Sequence, residues 1–598
     1  MAIGLGSSPS AQPKTPLPTK HKTADEREEA RISLLTLLAA GIGVASGFIA
    51  YALYHLIGLI TNLFYYGRVG ISLVSPAESP FFPYVVLAPV VGGLVAGLMI
   101  KYGSERIVGH GIPETMESVL LNRSKIEPKV GLLKAASAAI TIGSGQPFGA
   151  EGPIIQTGGA FGSFVGLRIR MSGAERRILL ASGAAAGMAA TFGTPIAAII
   201  LVIELLLFEF RVKSLIPVAV ASAIGAWLHI YLISSQPLFM TPALAFGGLG
   251  TLPFYVGLGL LCGVLGALLS RGLYRSEDAF AKLNLGQPWF PAIGGLAVGL
   301  IGLAVPQILG VGYNVITNIL LGKVALELVA LIAVAKAAAW ILAMGSQTSG
   351  GTLAPIFMVG DAVGFVIGSL ILALIPGAGF VPGAFAVAGM AAVFGTAARA
   401  PFTSIIFALE VTGDYQGVLP VVITVVIAEL VGERLMENSI MTEKLARRGL
   451  RVRHIYEYNP LRQVTAAAVM SSPLVSVDES VPVVDLVKKM NDPSNPMSDR
   501  KRIAVTAKET VVGVLERARI YEAAAAAEPS LTAIDVCSRD FETIRGDELA
   551  YQAMRVILLH GRRFLIVVDG AGRPLGYLSM SDLLRVNKVK VEDESLVE

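Results

Sequence analysis

The stretch Gly143-Ser-Gly-Gln-Pro-Phe-Gly-Ala-Glu-Gly-Pro153 places one carboxylate, Glu151, in strongly apolar surroundings. Glycines before the acid let the backbone turn sharply, and Pro153 suits the first turn of a helix because it lacks an N–H. We therefore predict that Glu151 lies on a loop that leads into a helix N-terminus inside a membrane. Free N–H groups and the positive end of the helix dipole favour an anion there. That anion is either the Glu151 carboxylate or a mobile ion that displaces it.

A second stretch, Gly345-Ser-Gln-Thr-Ser-Gly-Gly-Thr-Leu-Ala-Pro355, follows the same plan 202 residues later. Lys134 and Lys336 precede the two glycine runs at matching positions. Gly/Pro-interrupted apolar segments in matching halves of a chain point to a midplane binding site in transporters. Glu151 falls opposite Leu353, so the first half supplies a carboxylate and the second half supplies only backbone.

The duplication also pairs two acids, because Pro195…Glu204 matches Pro401…Glu410 after a four-residue insertion. Each acid follows a proline by nine residues. A duplicated acid at a helix end is typical of a structural role, and we favour that role over a direct part in transport.

Composition indicates a polytopic membrane protein with a soluble part. The 598 residues are 54% hydrophobic and 15% charged, whereas soluble domains carry about 25% charged residues. The net charge of +4 gives no indication of a nucleic-acid partner. Two distant cysteines, Cys262 and Cys537, imply no disulfide framework, and the histidines and cysteines show no metal-ligand spacing.

Apolar segments of uneven length fill the region between residues 31 and 450. Five look long enough to span a bilayer: Ile32–Ile60, Pro83–Ile100, Leu215–Ser234, Leu252–Ser270 and Pro291–Val305. Ile178–Ala190 and Val387–Phe394 are too short to cross alone. They indicate broken helices that meet in the interior, or re-entrant packing elements that bind no ligand.

Polar and basic flanks define the remaining regions. Residues 1–30 are rich in Pro, Ser, Thr and charge, which predicts a flexible tail. Basic residues flank the first apolar segment and cluster from Lys444 to Arg453, so both termini are expected in the cytoplasm. Residues 464–524 and 532–590 have one shared plan, in which a helix is followed by two strands, and predict a soluble α/β pair.

Residues 31–450 resemble the CLC family of chloride channels and chloride/proton exchangers. The resemblance rests on Gly109-His-Gly-Ile-Pro113, Gly149-Ala-Glu-Gly-Pro153, Gly351-Thr-Leu-Ala-Pro355 and Pro195–Glu204, in this order and spacing. It implies a mainly α polytopic membrane protein with an inverted repeat of tilted and broken helices. It also implies a homodimer with a separate chloride pathway in each subunit, in the cell membrane.

Residues 464–590 resemble a pair of CBS domains, on the strength of Gly572-Arg-Pro-Leu-Gly576 followed by Ser579 and Asp582. Ser579 and Asp582 suit ribose and phosphate contacts with an adenine nucleotide. The matching positions of the first unit are Glu516 and Arg519, so the signature is degraded there. A dimerising module without a ligand is the alternative, and no cofactor is required.

The resemblance and the helix-dipole argument together assign site residues. Glu151 is the expected gate, and Lys134 is expected either to attract anions or to extend its ammonium to the membrane interface. Several helix N-termini, each worth about +0.5 charge, can bind an anion and still release it. The expected anion-binding residues are His110, Gly111, Ile112, Gly149, Thr352, Leu353 and Met441.

The chain departs from the family pattern at four positions. His110 replaces a serine, and Ala150 replaces a basic residue before the gate. Met441 stands where the family has an inner-gate tyrosine, and Leu205 stands where exchangers keep a proton-transfer acid. Leucine cannot carry protons, so Leu205 and Met441 favour a passive anion channel.

Two further functions remain open. A chloride/proton exchanger could use a non-standard internal route, for example through water or Glu209. A membrane receptor or enzyme controlled by the soluble pair belongs to a different class. No nucleophile–base pair or metal constellation in the sequence supports that class.

Overall fold

A computed structural model describes residues 24–81, 84–207, 212–283, 285–286, 288–448, 461, 464–471, 474–498, 500, 502–526 and 530–585. The chain divides into two compact units, Met1–Tyr456 and Glu457–Glu598. Residues 1–23 of the predicted tail lie outside the described residues. The first helix begins at Ala24, six residues before the predicted end of that tail at residue 30.

Helices dominate the described part of the first unit, since a helix satisfies its backbone groups without help from a neighbouring chain segment. The first half contains α1 Ala24–Tyr66, α2 Leu87–Tyr102, α3 Ile112–Leu120, α4 Pro128–Gly143, α5 Glu151–Arg168, α6 Gly173–Phe192, α7 Pro195–Val202 and α8 Val212–Leu232. The second half contains α9 Leu252–Ala281, α10 Trp289–Ala304, α11 Tyr313–Leu320, α12 Leu326–Gly345, α13 Leu353–Leu374, α14 Pro382–Ala398, α15 Pro401–Thr412 and α16 Val418–Leu435. A short helix, α17 Glu443–Arg447, ends the unit.

Within the described residues, five helices are long and apolar enough to cross a membrane: α1, α8, α9, α12 and α13. Two of the predicted spans form the shorter helices α2 and α10, each of 16 residues. The segments predicted to be too short for a crossing lie in α6, of 20 residues, and α14, of 17 residues. Their lengths were underestimated because α6 opens with a polar Ser172–Glu175 capping box and α14 opens at Pro382.

Backbone pairing between the two glycine stretches relates the two halves of the unit. Gly149 and Gly351 form an antiparallel bridge, in which Gly351 donates to the Gly149 carbonyl at 2.9 Å and Gly149 donates back at 3.2 Å. These residues are equivalent in the duplication, 202 positions apart. Equivalent residues that pair reciprocally in opposite directions lie across a local two-fold axis. This pairing agrees with the inverted repeat that the resemblance implies, and α5 and α13 begin on either side of the local axis.

The described part of the second unit contains two small sheets. Its helices are α18 Ala466–Val469, α19 Val483–Asn491, α20 Arg517–Ala525, α21 Ala533–Val536 and α22 Ala550–Leu559, and its strands are β1 Ser476–Asp478, β2 Arg502–Ala507, β3 Thr510–Glu516, β4 Thr543–Arg545, β5 Phe564–Val568 and β6 Pro574–Ser579. In each sheet the first strand pairs in parallel with the second, and the second pairs in antiparallel with the third. The α/β pair predicted from the sequence is confirmed.

Candidate functional site

Glu151 is the first residue of α5, and its carboxylate lies where the two halves meet. The side chain is 1% exposed. One oxygen, Oε1, accepts a hydrogen bond from the backbone N–H of Leu353, the first residue of α13. The other oxygen, Oε2, is buried and has no partner in the described structure. The carboxylate thus occupies the N-terminus of a helix from the opposite half of the chain.

Two glycines make room for this carboxylate. A Cβ atom on Gly149 would lie 2.0 Å from Oε2 of Glu151, and one on Gly351 would lie 2.4 Å from Oε1. A larger residue at either position would force the carboxylate out of the position that it occupies here. The glycine-rich sequence around the acid is therefore explained by the close fit of both loops around its side chain.

The loop that carries His110 packs against the first turn of α5. The His110 carbonyl lies so close to Gly152 that a Cβ there would approach it to 1.7 Å. His110 is 5% exposed, and its ring nitrogen Nδ1 is buried without a partner in the described residues. Gly109 donates to the Thr348 carbonyl at 2.9 Å, which ties this loop to the second glycine stretch. The three glycine loops, 109–113, 149–153 and 351–355, therefore lie close together.

Two of the expected anion-binding residues have backbone N–H groups that are already engaged. The N–H of Gly111, the N-cap residue of α3, donates to Oε2 of Glu114 at 2.9 Å. The N–H of Gly149 donates to Gly351, as described above. Neither group is available to an anion in this conformation. Ile112 begins α3 and is 2% exposed.

On the α13 side, Thr352 is the N-cap residue, and its hydroxyl is buried without a partner in the described structure. Met441 is fully buried and follows α16, where its N–H donates to the Ser439 hydroxyl at 3.2 Å. An ion pair between Lys444 and Glu114 joins α17 to α3. The Met441 segment therefore lies beside the loop of His110.

Lys134 is fully buried, which excludes an ammonium extended to the membrane interface. Its Nζ donates to the carbonyls of Ile107, at 2.8 Å, and Gly109. The ammonium holds the His110 loop in place through these bonds. Its effect on anions in the pathway stays a prediction.

Lys336 repeats this arrangement and was not singled out as a site residue from the sequence. It is fully buried, and its Nζ donates to the carbonyls of Ile308, at 2.9 Å, and Gly310, at 2.8 Å. The loop that it holds, Gly310-Val-Gly312, precedes α11 as Gly109-His-Gly111 precedes α3. The repeated Gly-x-Gly spacing could have identified this loop in the sequence. Its two copies are 201 residues apart, however, whereas the two glycine stretches are 202 residues apart.

The duplicated acids cap each other's helices. Glu204 accepts hydrogen bonds from the N–H groups of Phe402 and Thr403 at the start of α15. Glu410 accepts from Ile196 and Ala197 at the start of α7, at 3.0 and 2.8 Å. This reciprocal capping agrees with the structural role favoured for both acids.

Leu205 is 1% exposed within a π-helical turn, Ile203–Leu207. The position that the resemblance matches to the proton-transfer acid of exchangers therefore holds a buried apolar side chain. Glu209 lies outside the described residues.

In the second unit, Ser579 and Asp582 bond to each other. The Asp582 carboxylate accepts from the Ser579 N–H at 2.9 Å, from the Ser579 hydroxyl, and from the Ser471 hydroxyl at 2.8 Å. Burial opposes the charge of Asp582, but these hydrogen bonds outweigh it and hold its pKa below the ordinary value. A bound ribose would have to replace or extend this network.

Residues 92–433 match the family described as Voltage gated chloride channel. The chain belongs to this family. Residues 466–526 and 533–588 match the CBS domain family. It is therefore an integral membrane protein of the CLC family with a C-terminal CBS pair.

The names of two curated relatives refer to different transport mechanisms, a channel and an exchanger. The chain is 32% identical over 366 residues to a "Putative chloride channel protein ClcB-like" of Ralstonia nicotianae, with 60% of this chain and 85% of the relative covered. It is 30% identical over 436 residues to the "H(+)/Cl(-) exchange transporter ClcA" of Citrobacter koseri, with 71% and 91% covered.

Solved structures share the fold. A slow cyanobacterial Cl-/H+ antiporter superposes with a TM-score of 0.63 at 23% identity, covering 69% of this chain and 97% of that one. A eukaryotic CLC transporter superposes with a TM-score of 0.59 at 19% identity, covering 93% and 98%. Both confirm the CLC-type architecture predicted from the sequence.

Proposed function

We propose that this protein carries chloride or a similar small anion across a lipid bilayer, through a site that the Glu151 carboxylate occupies and gates. The supporting observation is the buried carboxylate on the N–H of Leu353. A bare anion in hydrocarbon costs on the order of tens of kcal/mol, so a site for a carboxylate at this depth is also suited to a small anion.

The pathway uses partial charges in place of a full positive partner. The α13 N-terminus offers about half a positive charge, and α3 and α5 begin close to it. Partial charges bind an anion without trapping it. Lys134 donates to carbonyl oxygens, so its ammonium is not a direct ligand in this conformation. An anion that enters must displace Glu151, because both would use the Leu353 N–H.

Proton-coupled exchange is the transport mode that the comparisons favour over passive conduction. Several curated relatives at 30% identity are named H(+)/Cl(-) exchange transporters. Exchange in this chain requires an internal proton route that avoids Leu205. His110 and Glu114 are titratable groups beside this site, and Glu114 also lines a cavity of about 250 Å³ with Lys444. We assign the non-standard route to this pair.

Passive conduction is the second candidate because one observation favours it. The buried Leu205 offers no relay to protons, and Glu204 beside it caps α15. The same Glu151 gate would then open without stoichiometric proton movement.

The remaining proposals concern the setting of the pathway. We place the protein in the cell membrane as a homodimer, with both termini in the cytoplasm.

We also propose that Ser579 and Asp582 in the second unit bind an adenine nucleotide. Calorimetry of the full-length protein with ATP, ADP and AMP tests this proposal, and the absence of binding heat for all three nucleotides would contradict it.

Liposomes with an imposed chloride gradient separate the two modes. In exchange, the chloride gradient drives protons uphill, and Leu205→Ala leaves this coupling intact while His110→Ala reduces it. Chloride flux without proton movement would contradict exchange and leave passive conduction. The absence of any anion flux from folded protein would contradict the transport proposal itself.

A further inference from the structure

Tyr313 is a half-buried aromatic residue at the start of α11, next to the loop held by Lys336. Its ring packs edge-on against Phe192, with centroids 6.3 Å apart, and against Phe239, with centroids 5.9 Å apart. Its hydroxyl oxygen is buried and has no partner in the described residues. A buried hydroxyl without a partner is costly, so a second state in which it finds one is expected.

The loop of Tyr313 is attached to the stretch that carries Glu151. The N–H of Gly310 donates to the carbonyl of Gly145 at 2.9 Å. The Tyr313 hydroxyl interacts electrostatically with the Glu151 carboxylate without a hydrogen bond between them. The two groups are complementary, because Oε2 of Glu151 is a buried acceptor that also lacks a partner in this part of the chain.

Tyr313 also lines a cavity of about 520 Å³. Arg68, Glu78, Tyr54, Tyr66 and Asn314 share its wall. The titratable groups around the Tyr313 hydroxyl are Glu151 and Tyr54, while Lys336 lies behind Gly312. The Tyr313 hydroxyl thus belongs to a residue that lines this cavity and that is also under the electrostatic influence of the Glu151 carboxylate.

We propose that Tyr313 is a positioning residue for the gate, whose hydroxyl donates a hydrogen bond to the displaced Glu151 carboxylate while an anion occupies the N–H of Leu353. The inference rests on the proposed gating by Glu151. The hydroxyl gives the charged carboxylate a second position, so the gate can open at neutral pH without waiting for a proton. Protonated Glu151 needs this partner far less.

The test measures chloride efflux from liposomes that contain the full-length protein, at pH 7 and pH 4.5. Tyr313→Phe keeps the ring packing and removes the donor. We expect about a tenfold loss of chloride flux at pH 7, because the variant loses one hydrogen bond to a charged group. We expect little change in flux at pH 4.5, because Glu151 is then protonated. Tyr66→Phe removes another hydroxyl from the same cavity wall and serves as the control, with flux unchanged at both pH values.

A double variant distinguishes gate positioning from general damage. In a Glu151→Gln background, Tyr313→Phe should have no effect, because the charged acceptor is absent. Equal losses at both pH values, losses in the Glu151→Gln background, or wild-type flux in Tyr313→Phe would each overturn the inference. Wild-type pH dependence in Glu151→Gln alone would instead overturn the proposed gate.

Discussion

The Glu151 carboxylate accepts a hydrogen bond from the backbone N–H of Leu353, its own equivalent in the inverted repeat. The two positions have opposite chemistry, because one supplies the negative charge and the other supplies the helix N-terminus that binds it. A symmetric pair of acids would repel, and a symmetric pair of apolar residues would leave no gate. The asymmetry at this one pair thus creates a site that can be filled either by the protein or by a mobile anion.

The reciprocal helix capping by Glu204 and Glu410 predicts that a substitution there lowers the stability of the protein but leaves anion transport unchanged. Glu410→Gln keeps the shape of the side chain but loses the charge that faces the N–H groups of Ile196 and Ala197. We expect a loss of about 1–2 kcal/mol, in the range measured for helix caps and dipole interactions. Thermal unfolding in detergent measures this loss, and anion flux per folded protein should stay at the wild-type level. Lost flux at unchanged stability would show that Glu410 acts in transport.

His110→Ser tests whether this residue lines the pathway. The buried imidazole has a nitrogen without a partner in the described structure, so it is suited to contact a passing ion. Its removal should change the permeability ratios among chloride, bromide and nitrate by about two- to tenfold, the value of one hydrogen bond. Reversal potentials under bi-ionic conditions measure these ratios, with His55→Ser as the control. Unchanged ratios in His110→Ser would place His110 outside the pathway.

Much of this site was predictable from the glycine stretches, because their common offset identified the duplication before any contact was known. The hydrogen bond between Glu151 and the Leu353 N–H was not predictable, because a repeated sequence does not show whether its two copies are in contact in the folded protein. The reciprocal capping by Glu204 and Glu410 was hidden for the same reason. Tyr313 was missed because no charge marks it and because its loop is offset by 201 residues.

Local chemistry explains two other differences between prediction and structure. The N–H of Gly111 is engaged because the carboxylate of Glu114, three residues later, accepts its hydrogen bond. Lys134 was predicted either to attract anions or to extend to the interface. Its burial against the carbonyls of Ile107 and Gly109 depends on tertiary contacts, which the sequence does not show.

The lowered pKa of Asp582 predicts that the stability of the second unit depends on pH. Its pKa lies below the ordinary carboxyl value in the folded state. Its stabilising contribution is therefore present above the unfolded pKa of about 4 and is lost as the pH falls through the folded value. The protection factors of the β6 amides in the full-length protein, which correct for the slower intrinsic hydrogen exchange in acid, should fall on acidification, and should fall less in Asp582→Asn. An identical pH response in both proteins would show that the Ser471–Ser579–Asp582 network does not stabilise this strand.

Glu151→Gln tests the central claim, that this carboxylate occupies the anion site and closes it. The glutamine keeps the shape of the side chain but carries no charge, so it should compete poorly for the N–H of Leu353. The decisive measurement is chloride efflux from liposomes between pH 7.5 and pH 4.5, for wild type and Glu151→Gln. The account predicts that wild-type flux rises on acidification, while the variant is fast at every pH. A variant that retains the wild-type pH dependence would contradict the account.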